Sequence, residues 1–438
     1  MPAVDTPGNE YNAGWQTVDV TPQVGCYLAG YAARSEPSTG IYRRLEATVA
    51  AIDDGGDPVI LVSVEWLGFY ERTEEARKRI SHSTGVGGDR IILTATHTHA
   101  GPAIREVDLK RHGEWDEAYM QNALDQLAGA AVKALEQRHA CKLRFGSDWC
   151  GFAVSRRAPD GKGGVRWTPS LDAPHDHSVT ALFLEREDNE KRLVFFNYAC
   201  HPTSTGPILQ IGGDYPGFAC DRIRDCFDKN TTAAFLNACA GDQRPGPPGG
   251  GVQEFLPYSV EEVRGIGYRL GDAVARANHN ACDITGPIRV AQTFATLTYT
   301  PLDRGAVSEC AASPKTWERE WAEHYAGTVE TGPQTGKDLP FEVQTLRFGD
   351  SLAIVTLAGE TNVEYGLRLK RELHGRFEHV MVVAYANEIV GYVPVDRQIP
   401  EGGYEVADNQ RMMLRPGPFA NGMEDRIIAS VWHCVQDG

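Results

Sequence analysis

The stretch DRIILTATHTHAGP, residues 89–102, decides how the rest of the chain reads. Its first half is an aliphatic, β-branched run of the length of one buried strand, and its second half offers two imidazoles before a Gly-Pro break. Side chains two apart on a strand share a face, so His97 and His99 are expected to project together from the strand tip. Working outward, LEATVAAIDD (45–54) and DPVILVSVEWLGF (57–69) read as paired strands ahead of it. YERTEEARKRISHS (70–83) reads as the helix between.

The same plan recurs twice. HSVTALFLER (177–186), KRLVFFNYACHPTS (191–204), YPGFACDRIRDCF (215–227) and TAAFLNACAGDQRP (232–245) make a second strand, strand, helix, strand unit. FEVQTLRFGD (341–350), SLAIVTLAGE (351–360), TNVEYGLRLKRELHG (361–375) and EHVMVVAYANEIVGY (378–392) make a third. The expected fold is therefore α/β: one large domain over residues 1–438, built of repeated β-β-α-β units with mixed sheets. The Gly/Pro-rich GDQRPGPPGGG, 241–251, reads as a surface loop over a site, since the same patterns lie on both sides of it.

Two further helices complete the pattern. EAYMQNALDQLAGAAVKALEQRH (117–139) carries Met120, Leu124, Leu127, Ala131 and Leu135 on one stripe, and SVEEVRGIGYRLGDAVARA (259–277) opens with a Ser259/Glu262 capping box. Both are packing helices.

Bulk properties narrow the function. A net charge of -16 and a pI near 5.3 exclude a nucleic-acid partner, whose phosphates such a surface repels. No run approaches the roughly 18 apolar residues of a membrane span, and the start MPAVDTPGNEYNAGW lacks the regions of a secretory signal. The ten cysteines contain no C-x-x-C pair, so they read as buried thiols of a cytoplasmic protein. A homo-oligomer is compatible with all of this.

The chemistry-bearing residues follow strands: Glu65, His97 and His99 in the first unit, His201 and Asp242 in the second, Glu360 and Tyr392 in the third. Open α/β sheets gather their sites outside the carboxyl ends of strands, so the three units are expected to aim these residues at one crevice. His97 and His99 fit either a metal site or a hydrogen-bonded polar loop. His201 fits a ligand or a structural histidine, and Glu360 a cation partner or a helix cap.

Set in order, VDVTPQVG (18–25), ATHTHAGP (95–102), SRRAP (155–159), NYACHPTS (197–204), GDYPG (213–217), GDQRP (241–245), AGET (358–361) and GYVPV with GGYE (391–405) resemble the catalytic domain of the neutral/alkaline ceramidases over nearly the whole chain. The resemblance implies one zinc ion held by His97, His201, Glu360 and Tyr392. It implies His99 beside the metal exchanging protons with substrate, and Arg156 and Tyr404 facing substrate, with Arg157 next door to Arg156. Such a site hydrolyses an amide by metal-activated water. Asp214, Asp242 and Glu65 are then expected partners that orient the imidazoles, or, for the two aspartates, caps of turns or helices.

Three departures bear on substrate. The chain ends at SVWHCVQDG without room for the immunoglobulin-like domain of proven ceramidases, it lacks their secretion signal, and it reads GDQRP where they read Gly-Asp-Val-Ser-Pro, putting Arg244 in the place of serine. The expected substrate is a smaller or more polar small-molecule amide or ester. A metal-dependent lactonase or esterase and a non-catalytic metal- or ligand-binding protein are the alternatives. An amidohydrolase barrel is disfavoured because eight strand-helix units are not readable.

Overall fold

The computed structural model describes residues 11–32, 34–104, 114–188, 191–248, 254–330 and 338–437; the end of the Gly/Pro-rich stretch, 249–251, lies outside them. All three β-β-α-β units form. In the first, Glu46–Asp53 runs antiparallel to Val59–Val64, the helix Thr73–Thr84 crosses over, and Ile91–Ala95 returns parallel to Val59–Val64. The second repeats this with Ser178–Arg186, Arg192–Tyr198, the helix Asp214–Cys226 and Thr231–Asn237. The third does so with Leu339–Phe348, Leu352–Leu357, the helix Val363–Leu373 and His379–Val383. A parallel pair cannot be closed by a tight turn, which is why each unit spends a helix there. Helices then cover the sheets, and strands such as Val59–Val64 and Leu352–Leu357 are buried throughout, hence their unbroken aliphatic runs.

The first two units share one sheet, joined through Tyr11–Asp19 and His139–Trp149. Its spatial order runs Thr231–Asn237, Arg192–Tyr198, Ser178–Arg186, His139–Trp149, Tyr11–Asp19, Glu46–Asp53, Val59–Val64, Ile91–Ala95. The third unit forms a separate sheet with Ile288–Leu297. Main-chain bonds stitch the strand ends together. Ala384 N donates to Asn237 O at 2.9 Å, Thr94 bridges Ala386, and the Asn237 amide reaches Thr96 O at 3.3 Å. The carboxyl ends of one strand from each unit therefore meet at one place.

The packing helices run Glu117–Glu136, with Met120, Leu124, Leu127 and Ala131 buried, and Val260–Ala277, with both halves of the Ser259/Glu262 capping box made. Seven of the ten cysteines are buried and none forms a disulfide; Cys226 and Cys282 are exposed and Cys26 is half-buried. Among the described residues no helix is long and apolar enough to cross a membrane.

Candidate metal centre

The first unit's strand stops at Ala95, and His97 adopts a left-handed backbone with φ of 64°. The two histidines thus share a direction through a turn, not through the alternation of a strand. That turn is fixed by main-chain bonds from Thr96 N to Val64 O and from His97 N to Trp66 O, both 2.9 Å. His99 N donates to Pro202 O at 3.3 Å, and the Arg34 guanidinium donates to His99 O at 2.9 Å. Gly30 lies against the His99 ring, where a Cβ would come within 2.3 Å of Nδ1.

His201 leaves the second unit just past Arg192–Tyr198, its N donating to Gln243 O at 3.2 Å. Glu360 and Tyr392 are direct partners in a short parallel pairing, Glu360–Thr361 with Tyr392–Val393, so they stand side by side. All three units deliver donors to one cage. Glu360 Oε2 lies 3.2 Å from His97 Nε2 and 3.4 Å from His201 Nε2. His99 Nε2 is 3.3 Å from His97 Nε2, and the Tyr392 hydroxyl is 3.3 Å from His201 Nε2.

The tautomers follow from the outer nitrogens. His97 Nδ1 donates to the Leu67 carbonyl at 2.6 Å and His201 Nδ1 to the Ala240 carbonyl at 3.1 Å; a carbonyl only accepts, so each ring carries its proton there. Each neutral ring therefore turns a bare Nε2 lone pair inward. The buried Glu360 Oε2 has no hydrogen-bond donor of its own. Electron-rich atoms converging without a proton between them are costly unless a cation sits among them, and this donor set of imidazole nitrogen and carboxylate oxygen fits one. The His97, His99 and His201 group could hold a metal ion.

Burial holds His201 and His99 well below the ordinary imidazole pKa, with His97 as the next cause for each. His99 differs in one respect: its Nδ1 is buried without a partner, and its Nε2 is the nitrogen that faces His97 Nε2. Burial pushes the Tyr392 phenol well above its ordinary value, which leaves it neutral unless a cation draws off the proton.

Arg156 and Arg157 are both buried, because the pairing of Ala153–Pro159 with Val165–Ser170 shifts register between Ser155 and Arg157. They part company at the site. Arg156 lies 5.0 Å from the Tyr392 ring centre and 5.3 Å from that of Tyr404, whereas Arg157 turns to Glu405 at 2.6 Å, Glu401 and Gly402. Glu405 also takes Arg156 Nε at 2.7 Å, so one buried carboxylate serves both. Tyr404 meets Tyr392 edge-on at 5.2 Å. With His97, His99, Glu360 and Tyr392 it lines a cavity of about 50 Å³.

The three acids expected behind the imidazoles do other work. Asp214 accepts from Ser204 Oγ at 2.6 Å and from the Ser204 and Tyr215 amides, fastening the turn after His201. Asp242 accepts from Val363 N at 2.9 Å and from Gln398, capping the helix after Glu360. Glu65 takes both oxygens to Arg43 at 2.8 Å and accepts from Glu46 N. Backbone carbonyls orient the rings instead, a feature no side-chain pattern announces. The reading of the sequence also missed Tyr385, whose hydroxyl is 3.2 Å from His201 Nδ1 and whose ring lies 4.4 Å from that of His97. Like His97 it has a positive φ, 54°, two residues past a strand end, but a tyrosine in an aliphatic run carries no local sign of that.

A family model described as neutral/alkaline non-lysosomal ceramidase, N-terminal, matches residues 11–254, more than half of the chain. His97, His99, Arg156 and His201 fall within that span, and Glu360, Tyr392 and Tyr404 after it. The structure of neutral ceramidase from Pseudomonas aeruginosa superposes with a TM-score of 0.74 at 18% identity, covering 96% of this chain and 73% of that one. A structure of a ceramidase complexed with C2 gives 0.72 at 17% identity, covering 96% and 74%. At such identities the likeness is one of fold.

Proposed function

The chain belongs to the neutral/alkaline non-lysosomal ceramidase family, and on that premise we propose that it is a zinc-dependent hydrolase cleaving a C–N amide bond with water. The observation that carries this reading is the cage itself. Two imidazoles with fixed tautomers and a carboxylate oxygen lacking any donor converge from three units of the chain. In this reading His97, His201, Glu360 and Tyr392 hold the ion. When bound, zinc supplies Lewis acidity, polarising a carbonyl and lowering the pKa of water from 15.7 to about 7.

The side chains do the rest. His99, neutral beside the cage, accepts a proton from the attacking water and returns it to the leaving nitrogen. Burial keeps the Tyr404 phenol protonated, so it donates to the developing oxyanion, with the Arg156 charge behind the Tyr392 and Tyr404 rings adding to the field. Asp214 and Asp242 hold the loops that carry His201 and Glu360.

The cavity beside the cage is lined by polar groups of His97, His99, Glu360, Tyr392 and Tyr404, which supports a small or polar substrate rather than a long-chain lipid amide. Cysteines that form no disulfide support a reducing, cytoplasmic setting. The test is a matched amide and ester pair assayed with and without zinc, beside E360Q and H201A. Zinc-dependent amide cleavage lost in both variants is the expected result. Cleavage of the ester alone would make the protein an esterase or lactonase, and cleavage indifferent to zinc would end the proposal.

A further inference from the structure

Several buried or half-buried arginines of this protein are matched by buried carboxylates: Arg43 by Glu65, Arg77 by Glu342, Arg156 and Arg157 by Glu405. Two beside His99 are not. Arg34 donates to the carbonyls of Ala29 and His99, both at 2.9 Å. Arg244 donates from Nε to Thr203 Oγ1 at 3.1 Å and from Nη2 to Thr203 O at 3.3 Å. Among the described residues neither has a carboxylate partner, although the chain carries 59 acidic residues against 43 basic ones. A largely buried guanidinium without an anion carries an uncompensated desolvation cost.

Arg244 touches neighbours of the cage residues. Its Thr203 carbonyl is shared with the Tyr31 hydroxyl at 3.1 Å, and the Tyr31 ring stands edge-on to His99 at 4.9 Å. Its guanidinium lies 6.0 Å from the Trp167 ring, which also takes Arg156 at 4.3 Å and meets Tyr404 edge-on at 4.9 Å. The Phe255 ring lies 4.8 Å from the same guanidinium. Thr203 occupies the Nε/Nη2 edge and leaves the Nη1/Nη2 edge free, a fork matched to the two oxygens of a carboxylate.

We propose that Arg244 determines specificity, and that the substrate is an amide or ester bearing a carboxylate, which this free edge binds while the scissile bond lies at the cage. Burial, then the nearby Arg156, pushes the Arg244 pKa down, and a bound anion relieves both. The proposal rests on the hydrolase reading for the fate of the ligand but not for its binding.

The test uses the zinc-loaded protein, N-hexanoylglycine and its uncharged counterpart N-hexanoylglycinamide, with binding and cleavage measured separately. The acid is expected to bind roughly 10- to 100-fold more tightly than the carboxamide. In R244Q, checked for folding by its melting curve, the two should fall within about threefold, and R244K, which lacks the fork, should lose part of the preference. Equal binding of the pair by the unaltered protein overturns the proposal. So does a preference undiminished in R244Q, which would assign the carboxylate to the cage, or one undiminished in R244K should R244Q not fold. An Arg244-dependent preference without cleavage of either compound sinks the hydrolase reading and leaves the anion site standing; cleavage of both without preference does the reverse.

Discussion

Glu360 Oε2 stands 3.2 Å from His97 Nε2, and neither atom brings a proton to the gap. The ring has spent its single N–H on Leu67, so a cation is the natural occupant of the space between them. Chelation is expected to lower the melting temperature and added zinc to restore it. The stabilisation is about 2.7 kcal/mol at a free zinc concentration 100 times Kd. E360Q should blunt the response, and a melting curve that ignores both chelator and zinc speaks against the site.

His99 and His201 should separate cleanly by substitution. H201A is expected to lose bound zinc, as read by metal analysis. H99A should keep its zinc yet lose about 10²- to 10⁴-fold in turnover, the usual range for a positioned acid or base. Normal turnover in H99A at saturating zinc would remove that residue from the mechanism.

Gly30 offers an indirect way to the same ring. Its φ of +96° already disfavours a side chain, and a Cβ there would press on His99 Nδ1 and Cγ at 2.3 and 2.5 Å. G30A is expected to destabilise the fold by about 1–3 kcal/mol in urea titration and to lower turnover by displacing the ring, with zinc retained. Unchanged turnover in a folded G30A would mean that the ring has room to move.

The Arg156–Glu405–Arg157 cluster is a different liability. E405Q leaves two buried guanidinium groups without their shared anion, and the expected loss is about 3–5 kcal/mol of unfolding free energy. A loss under 1 kcal/mol would show that the arginines find other partners.

Acid stability should depend on Asp176, which accepts from Lys370 at 2.6 Å and so ties the second unit to the helix of the third. Burial opposes its charge, but Lys370 and Ser178 prevail and hold its carboxyl below the ordinary value. The folded chain therefore binds fewer protons here than the unfolded chain. The contribution is present above the ordinary carboxylate pKa near 4 and is lost as pH falls through the lowered folded value. D176N should flatten the acid limb of a stability profile while costing about 1–3 kcal/mol at neutral pH.

The three units were legible because strands buried on both faces must be aliphatic throughout and their crossover helices must be amphipathic. Strand ends were not. The run DPVILVSVEWLGF resumes its apolar pattern after Glu65 and keeps it to Phe69, yet the strand closes at Val64 so that Trp66 and Leu67 can turn their carbonyls toward the backbone and ring of His97. Pairing across the chain was invisible for a related reason: nothing in the residues of Tyr11–Asp19 says that this strand helps to bridge two units. Of the site, imidazoles and carboxylates after strands could be found by residue type. The groups that aim them are mostly main-chain atoms, and those have no letter in the sequence.

The bridge from Thr94 to Ala386 and the bond from Ala384 to Asn237 close the three units on one another. The cage therefore has no local precursor: a ribosome must release Tyr392 before the last donor can join His97. An ion held by all four side chains can complete its coordination only once the third unit has docked. Its retention would then serve as an audit of assembly, since misdocking of any one unit empties the cage.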